Sequence, residues 1–228
     1  INEFIGEDMI SSLKTSILNT NSSEGISSNS RFKIVRKFMK PKRVLKAEYV
    51  LRTEDNSTDS ELENISNYYL SATIDSIEQD RINKNGYLNQ TGKLTYTEPL
   101  FDKFRLELEY LYQNNTSQQN ISTTDRLNNN STLDDLTNDF TNIRVQNRGT
   151  AVLSYEIYKH LLQAGIGYRN IVIDNENLIT NNIINQNISN FLPQFRYQFK
   201  PSRAKRFNFR YNTQSQQPSV NDLQPVQN

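Results

Sequence analysis

Two glutamates at alternate positions are the first residues in this sequence whose chemistry could matter. Glu107 and Glu109 are two residues apart, and on a β-strand side chains at this spacing share one face. Paired carboxylates can serve as a general acid and a general base. The same spacing arises where alternate positions of a strand face a water-filled interior. We favour the second interpretation, in which these glutamates line a wet surface and catalyse nothing.

The single histidine, His160, lacks the partners that catalysis or metal binding would require. The sequence contains no cysteine and no second histidine, so we find neither a thiolate metal site nor a Ser/His/Asp set around it. It follows Lys159 in a short predicted turn. We therefore nominate no catalytic, metal-binding or cofactor-binding residue, and we expect that the protein is not an enzyme.

Other short motifs have plainer explanations than a binding site. Asp134, Asp135 and Asp139 could bind calcium, but their spacing fits no known calcium loop. Gly165-x-Gly167 lies within a predicted strand, where glycine permits a bend or a close neighbour and forms no phosphate loop. Several Asn-x-Ser/Thr triplets match glycosylation acceptors by spacing, among them those that begin at Asn56, Asn64, Asn120 and Asn187. In a chain this rich in Asn and Ser we attribute them to chance.

The segments that carry these residues alternate between apolar and polar side chains. From Phe104 to Tyr112, even positions are apolar and most odd positions are charged or polar. This two-residue period is typical of strands with two different faces. Such runs are about 9 to 12 residues long, roughly the length that a tilted strand needs to cross a bilayer. The clearest parts of the other runs are residues 45–52, 151–157, 162–168, 195–200 and 206–212.

The composition suits strands that lie between lipid and water. Only 35% of the 228 residues are hydrophobic, although 12 Tyr and 11 Phe are present. No apolar run of ~18 or more residues exists, which excludes a helical membrane protein. The 26 basic and 25 acidic residues nearly balance, which argues against nucleic acid as a partner. Both signs occur on the same strands, so no preference for anions or cations follows.

Short and long connections alternate between the predicted strands. The short ones are residues 40–42, 99–102, 158–160 and 201–205, and the long polar ones are 12–30, 55–64, 113–142 and 174–187. This asymmetry predicts an all-β fold, an antiparallel transmembrane β-barrel with short periplasmic turns and long outer loops. We expect a partial barrel of about 8–10 long strands.

We place residues 1–228 in one outer-membrane β-barrel domain. Residues 1–30 are strand or loop, residues 65–94 form one long strand or three shorter ones, and residues 113–142 form a long mobile outer loop. Aromatic residues near the predicted strand ends suggest girdles at the two membrane interfaces. They are Tyr96, Phe104, Tyr112, Tyr158, Tyr168 and Phe207.

Several motifs in order resemble the TonB-dependent-receptor-like outer-membrane β-barrel family of the Bacteroidetes type. The resemblance covers most of the chain from about Ser28 onward. The most specific motif is the strand at 207–213 followed by Gln-Pro-Ser-Val-Asn-Asp-Leu-Gln-Pro-Val at 217–226. The others are the basic turn at 36–43, residues 94–100 with the strand end at 107–110, and residues 190–197.

The resemblance implies a receptor or transporter segment in the bacterial outer membrane, which binds or takes up a ligand at the cell surface. Its implied partners are outer-membrane lipid, an unknown extracellular ligand, and an energy-coupling protein of the TonB type that acts through parts absent from this sequence. We expect missing strands to close the barrel, and no ligand-binding residue is nominated. The alternative is a soluble extracellular β-sandwich or adhesin-like binding module, which should show mostly short strands.

Overall fold

The computed structural model of the protein describes residues 2–5, 11–69 and 71–213. These residues form a single antiparallel sheet of ten strands. A short 3₁₀ helix, Asp134–Leu136, lies between β6 and β7. The strands are β1 (Asn2–Ile5), β2 (Ser11–Lys37), β3 (Val44–Tyr68), β4 (Thr73–Phe101), β5 (Phe104–Asp125), β6 (Ser131–Thr132), β7 (Asn138–Ile157), β8 (His160–Asn177), β9 (Asn182–Phe199) and β10 (Phe207–Asn212).

Strands that are neighbours in sequence pair as neighbours in the sheet. The order is β1-β2-β3-β4-β5-β7-β8-β9-β10, with the two-residue β6 paired to β5. This meander is the strand order of an up-and-down barrel. Within the described residues the sheet stays open, with β1 and β10 at its edges. The predicted all-β antiparallel fold and its strand number are therefore confirmed.

The four short turns that the sequence predicts are all present in the structure. They connect β2 to β3, β4 to β5, β7 to β8 and β9 to β10. In the first, the Phe38 amide donates to the Arg43 carbonyl at 3.2 Å. In the third, Tyr158 takes a φ of 49°, because a two-residue hairpin turn requires left-handed backbone. The four turns lie at one end of the sheet, which we call the turn end.

The long polar stretches are mostly strand, so the prediction of loops there is wrong. Residues 12–30 lie in β2, residues 55–64 lie in β3, and β8 and β9 cover residues 174–187 except the turn at 178–181. Residues 113–142 hold the end of β5, β6, the 3₁₀ helix and the start of β7. Where both faces of a strand meet water, neither needs apolar side chains, and backbone pairing alone keeps the sheet continuous.

The structure also assigns the two segments that were ambiguous in the sequence, residues 1–30 and residues 65–94. Residues 2–5 form β1 and residues 11–30 belong to β2. Neither alternative for residues 65–94 is correct, because this span crosses a hairpin: Ile65 lies near the end of β3, and β4 begins at Thr73. The motif at residues 217–226 lies outside the described residues.

The register assigns strand residues to two faces, because directly opposite residues of an antiparallel pair share a face. On one face, a row of paired residues runs across the strands from Leu108 to Ala151, Ile166 and Pro193. On the other face, the adjacent row runs from Glu109 to Thr150, Gly167 and Leu192. We call the first the outer face and the second the lumen face. The alternation predicted for β5 is confirmed by these rows.

Burial shows which way the sheet curves. Every buried side chain of the described residues lies on the lumen face, from Thr95 on β4 to Gln198 on β9. No second layer covers that face within the described residues, so the sheet must curl around it. Meanwhile the outer face exposes large apolar side chains, with Ile166 55% and Phe191 68% accessible. A water-soluble sheet would bury these and expose its threonines and glutamines.

The apolar part of the outer face forms a band next to the turn end. From Phe104 to Tyr112, a strand rising about 3.3 Å per residue covers roughly 26 Å, close to the ~25 Å band of an outer-membrane barrel. Beyond the band, towards the opposite end, β2 to β5 continue with polar residues on both faces. Long strands in one sheet, with apolar residues exposed, do not fit the alternative of a soluble sandwich.

Candidate functional site: the lumen face

Arginines gather on the lumen face of β7 to β10. Arg148 lies opposite Arg169, and Arg196 lies opposite Arg210. One acidic residue, Glu156, shares this face of these four strands. Sequence reasoning gave no preference for either sign of charge, because the face of each side chain depends on the register. The complete set on this face of β7 to β10 is Arg144, Arg148, Arg169, Arg196 and Arg210.

Glu109 connects three strands across the lumen face. One carboxylate oxygen accepts from Arg148 Nη2 on β7 at 2.8 Å, and the other lies 2.7 Å from Lys93 Nζ on β4. The Glu109 side chain is 17% exposed. Glu107 lies two residues along the same face, and within the described residues it forms no salt bridge. Both glutamates therefore line the lumen as predicted.

A cavity of about 460 Å³ opens between these glutamates and the arginines. Glu107 and Glu109 lie on its β5 side, and Arg196 and Arg210 lie on its β9 and β10 side. The remaining lining includes Thr150, Val152, Gln163, Gly167 and Gln194. The cavity thus presents carboxylates on one wall and guanidinium groups on the other, which can bind polar or charged groups of a small ligand.

Gly165 and Gly167 allow the side chains of neighbouring strands to cover them. A Cβ at Gly165 would lie 2.8 Å from the Ala151 carbonyl oxygen and 2.9 Å from Val152 Cγ2. A Cβ at Gly167 would lie 3.2 Å from Thr150 Oγ1. These contacts confirm the sequence interpretation of the two glycines as positions of close approach, and they place both glycines beside the cavity.

His160 belongs to an aromatic cluster on the outer face at the turn end. Its ring stacks on Phe199 with centroids 4.5 Å apart, and its Nδ1 hydrogen-bonds the Tyr197 hydroxyl at 2.9 Å. Of the predicted girdle residues, all except Tyr158 fall on the same face. Tyr96, Phe104 and Phe207 lie near the turn end, Tyr112 and Tyr168 lie at the opposite margin of the band, and Tyr158 lies in a turn.

Glu98 forms a second ionic cluster, which the sequence did not reveal. It lies one outer-face position beyond Tyr96 towards the turn end, opposite Leu106 in the part of the apolar band nearest the turns. Arg43 Nε and Lys40 Nζ each donate to its carboxylate at 2.7 Å, and the Tyr96 hydroxyl donates at 2.6 Å. The carboxylate thus accepts hydrogen bonds from three side chains. The cluster connects the turn between β2 and β3 to strand β4.

The strand ends opposite the turns carry mainly acidic groups. Arg126 lies between three of them, 3.4 Å from Glu78, 3.5 Å from Asp80 and 3.8 Å from Glu61. A shallow cavity of about 780 Å³ crosses the projecting strands nearby, and its lining includes Glu24, Asp55, Lys84 and Asp139.

The remaining sequence motifs show no convergent chemistry. Asp134 and Asp135 form the 3₁₀ helix, while Asp139 accepts a hydrogen bond from Asn120 at 3.1 Å. Among the described residues no three acidic or histidine side chains gather around a metal position. The Asn-x-Ser/Thr triplets at Asn56, Asn64, Asn120 and Asn187 begin within strands β3, β5 and β9.

Comparison with protein families now decides the class of this sheet. The model of the "Outer membrane protein beta-barrel family" matches residues 36–228. The chain belongs to this family. Its lipid-facing side is therefore the outer face, and its location is the bacterial outer membrane. Within the described residues, no helix is both long enough and apolar enough to span a membrane.

Searches for individual relatives add little to this family membership. No curated protein matches the sequence. Among solved structures, the ferric citrate transporter FecA in its unliganded form is similar over 72% of this chain, with a TM-score of 0.48 and 10% identity. The chain spans 26% of that transporter's chain. A similarity of this size supports no inference about ligands.

Proposed function

We propose that this outer-membrane β-barrel segment belongs to a receptor or transporter that binds a ligand in its lumen, and takes it up from the cell surface. The observation that carries the proposal is the lumen cavity between Glu107 and Glu109 on one wall and Arg196 and Arg210 on the other. Charged groups on a partly buried surface are costly without a polar or charged partner. A structural wall alone would not require them.

We further propose that the protein is of the TonB-dependent-receptor-like, Bacteroidetes type, and that uptake is coupled to an energy-transducing partner. The ordered motifs at residues 94–100, 190–197 and 207–213 support this. The proposal includes additional strands that close the sheet, because an open edge within lipid leaves backbone groups unpaired at several kcal/mol each. It includes no catalytic step, since His160 is engaged with Tyr197 and Phe199.

Cysteine labelling of the complete protein in intact cells tests whether the lumen is open to the outside. Glu107→Cys and Gln163→Cys place thiols on the lumen face, and their neighbours Leu106→Cys and Leu162→Cys place them on the outer face. A membrane-impermeant maleimide should label the first pair and spare the second. Labelling of the outer-face pair, or of neither pair, would contradict a water-filled lumen.

Uptake is tested separately with a deletion strain and its complemented counterpart. The probes are a labelled short peptide, a labelled malto-oligosaccharide and a ferric chelate, which represent three classes of large nutrient. Reduced uptake of one probe, restored by the intact gene and not by Arg196→Gln/Arg210→Gln, supports the proposal and identifies the ligand class. Equal uptake of all three probes in both strains contradicts it.

A further inference from the structure

The turn end of the sheet is strongly basic. We call residues 36–43, 98–104, 156–160 and 199–206 the turn-end collar. Its acidic residues are Glu98, Asp102 and Glu156, whereas its basic residues are Arg36, Lys37, Lys40, Lys42, Arg43, Lys103, Lys159, Lys200, Arg203, Lys205 and Arg206. The whole chain has a net charge of only +1. The positive charge is therefore concentrated at this end, and acidic residues predominate elsewhere.

The collar also carries apolar side chains at its tips. Met39 is 103% exposed, Tyr158 95% and Phe101 76%. Of the basic side chains, Arg43 is half-buried and the others are exposed. Apolar tips beside long cationic side chains are typical of segments at a membrane interface, where the apolar groups reach the acyl chains and the charges reach the headgroups.

The position of the collar relative to the apolar band fixes the depth of these charges. Most of these charges lie in the turns beyond the strand ends, at residues 40–43, 103, 159 and 200–206. Arg36 lies instead on the outer face of β2, opposite Leu45, and its guanidinium stacks 5.2 Å above the centre of the Phe38 ring. Because the outer face of this barrel contacts lipid, residues just beyond the apolar band lie at the level of the lipid headgroups. The strands project far beyond the apolar band only at the opposite end, and such barrels carry their long extensions on the extracellular side, so the leaflet concerned is the periplasmic one.

We propose that the turn-end collar binds the anionic headgroups of phospholipids in the periplasmic leaflet. The guanidinium and ammonium groups pair with lipid phosphates, and arginine can do so through two parallel hydrogen bonds. Glu98 neutralises Lys40 and Arg43 in part, so the last turn, with Arg203, Lys205 and Arg206, presents the least compensated charge. The interaction anchors the barrel at one leaflet and does not depend on which ligand the lumen takes.

Lipid retention by the complete protein tests this proposal. The protein is reconstituted in vesicles of phosphatidylethanolamine with a minor fraction of phosphatidylglycerol, and the lipids that remain bound after mild detergent extraction are quantified by mass spectrometry. We expect phosphatidylglycerol to be enriched by about threefold or more over the bulk membrane, since each basic residue near a surface favours anionic lipid. Bound lipid with the bulk composition would overturn the proposal.

A matched pair of variants assigns the enrichment to the collar. Lys42→Gln/Arg203→Gln/Lys205→Gln should lower it to near the bulk ratio. The control Lys14→Gln/Arg81→Gln/Lys84→Gln removes the same charge from the projecting strands and should leave it unchanged. Equal enrichment in the two variants would overturn the proposal. Correct insertion of each is checked by the gel shift between folded and heated protein.

Salt dependence of the unmodified protein provides the measurement if the collar variant fails to insert. Headgroup pairing at an exposed collar is screened by salt, because the Debye length falls from about 10 Å at 0.1 M to about 3 Å at 1 M. Enrichment should therefore fall severalfold over this range. An enrichment that salt leaves unchanged would mean that the basic residues do not select the lipid.

Discussion

Glu109 and Arg148 connect β5 to β7 on the lumen face, with Glu109 Oε1 2.8 Å from Arg148 Nη2. Lys93 binds the second carboxylate oxygen from β4, so that one acid lies between two bases from the two neighbouring strands. Removal of the acid and removal of one base should therefore change the stability of the protein by unequal amounts.

Glu109→Gln should destabilise the barrel more than Arg148→Gln or Lys93→Gln does. Removal of the glutamate leaves two half-buried cations facing each other, while removal of one base leaves a balanced pair. We expect a cost of about 2 kcal/mol for the glutamate and about 1 kcal/mol for either base, between the values for surface and buried pairs. Urea unfolding in vesicles, followed by gel mobility, measures both. Glu107→Gln is the control, and an equal effect of the two glutamate variants would contradict this assignment.

Gly165→Ala should destabilise the protein because the new methyl group meets the Ala151 carbonyl oxygen and Val152 Cγ2. Overpacking of this kind costs about 1–3 kcal/mol. Gly149→Ala is the matched control, since nothing lies within 4 Å of a Cβ there. Unfolding in urea compares the two variants. If Gly149→Ala were the more damaging, the close approach at Gly165 would not limit stability.

Leu153→Arg and Val152→Arg test the two faces at adjacent positions. Leu153 is on the outer face and 42% exposed, whereas Val152 lines the lumen cavity. An arginine that faces lipid costs about 2–4 kcal/mol at the bilayer midplane and less towards the interfaces, so Leu153→Arg should reduce the folded fraction recovered in the outer membrane. Val152→Arg enters a wet cavity and should be tolerated better. If Val152→Arg were the more damaging variant, our assignment of the outer and lumen faces would be wrong.

The sequence predicts well those features that a two-residue period encodes. Alternation around Leu108 and Leu153 reports which face meets lipid, and short basic segments with Pro41 or Pro201 mark the turns. Both signals are local, so they can be read without knowing which strands pair. They establish the sheet, the turn end and the outer face.

Strand length and side-chain partners could not be predicted in the same way. Residues such as those around Thr58 and Asn85 are polar on both faces and carry no alternation, although they are paired throughout β3 and β4. Glu98 meets Arg43 across 55 residues of sequence, and that contact follows from the register of two strands. The arginine-rich lumen face likewise appears only once each strand is aligned with its neighbours.

The continuation of the strands beyond the apolar band changes how a ligand would first meet this protein. From Tyr112 to Asp125, β5 adds roughly 43 Å along its axis, more than the ~30 Å thickness of a bilayer's hydrocarbon core. The entrance is thus a vestibule about as deep as the membrane itself. Its walls are hydrogen-bonded before any ligand arrives, so capture there does not require the ordering of a flexible loop, which would weaken affinity. In the closed barrel proposed above, such a vestibule would select ligands by width, because anything broader than its mouth would stop far above the membrane.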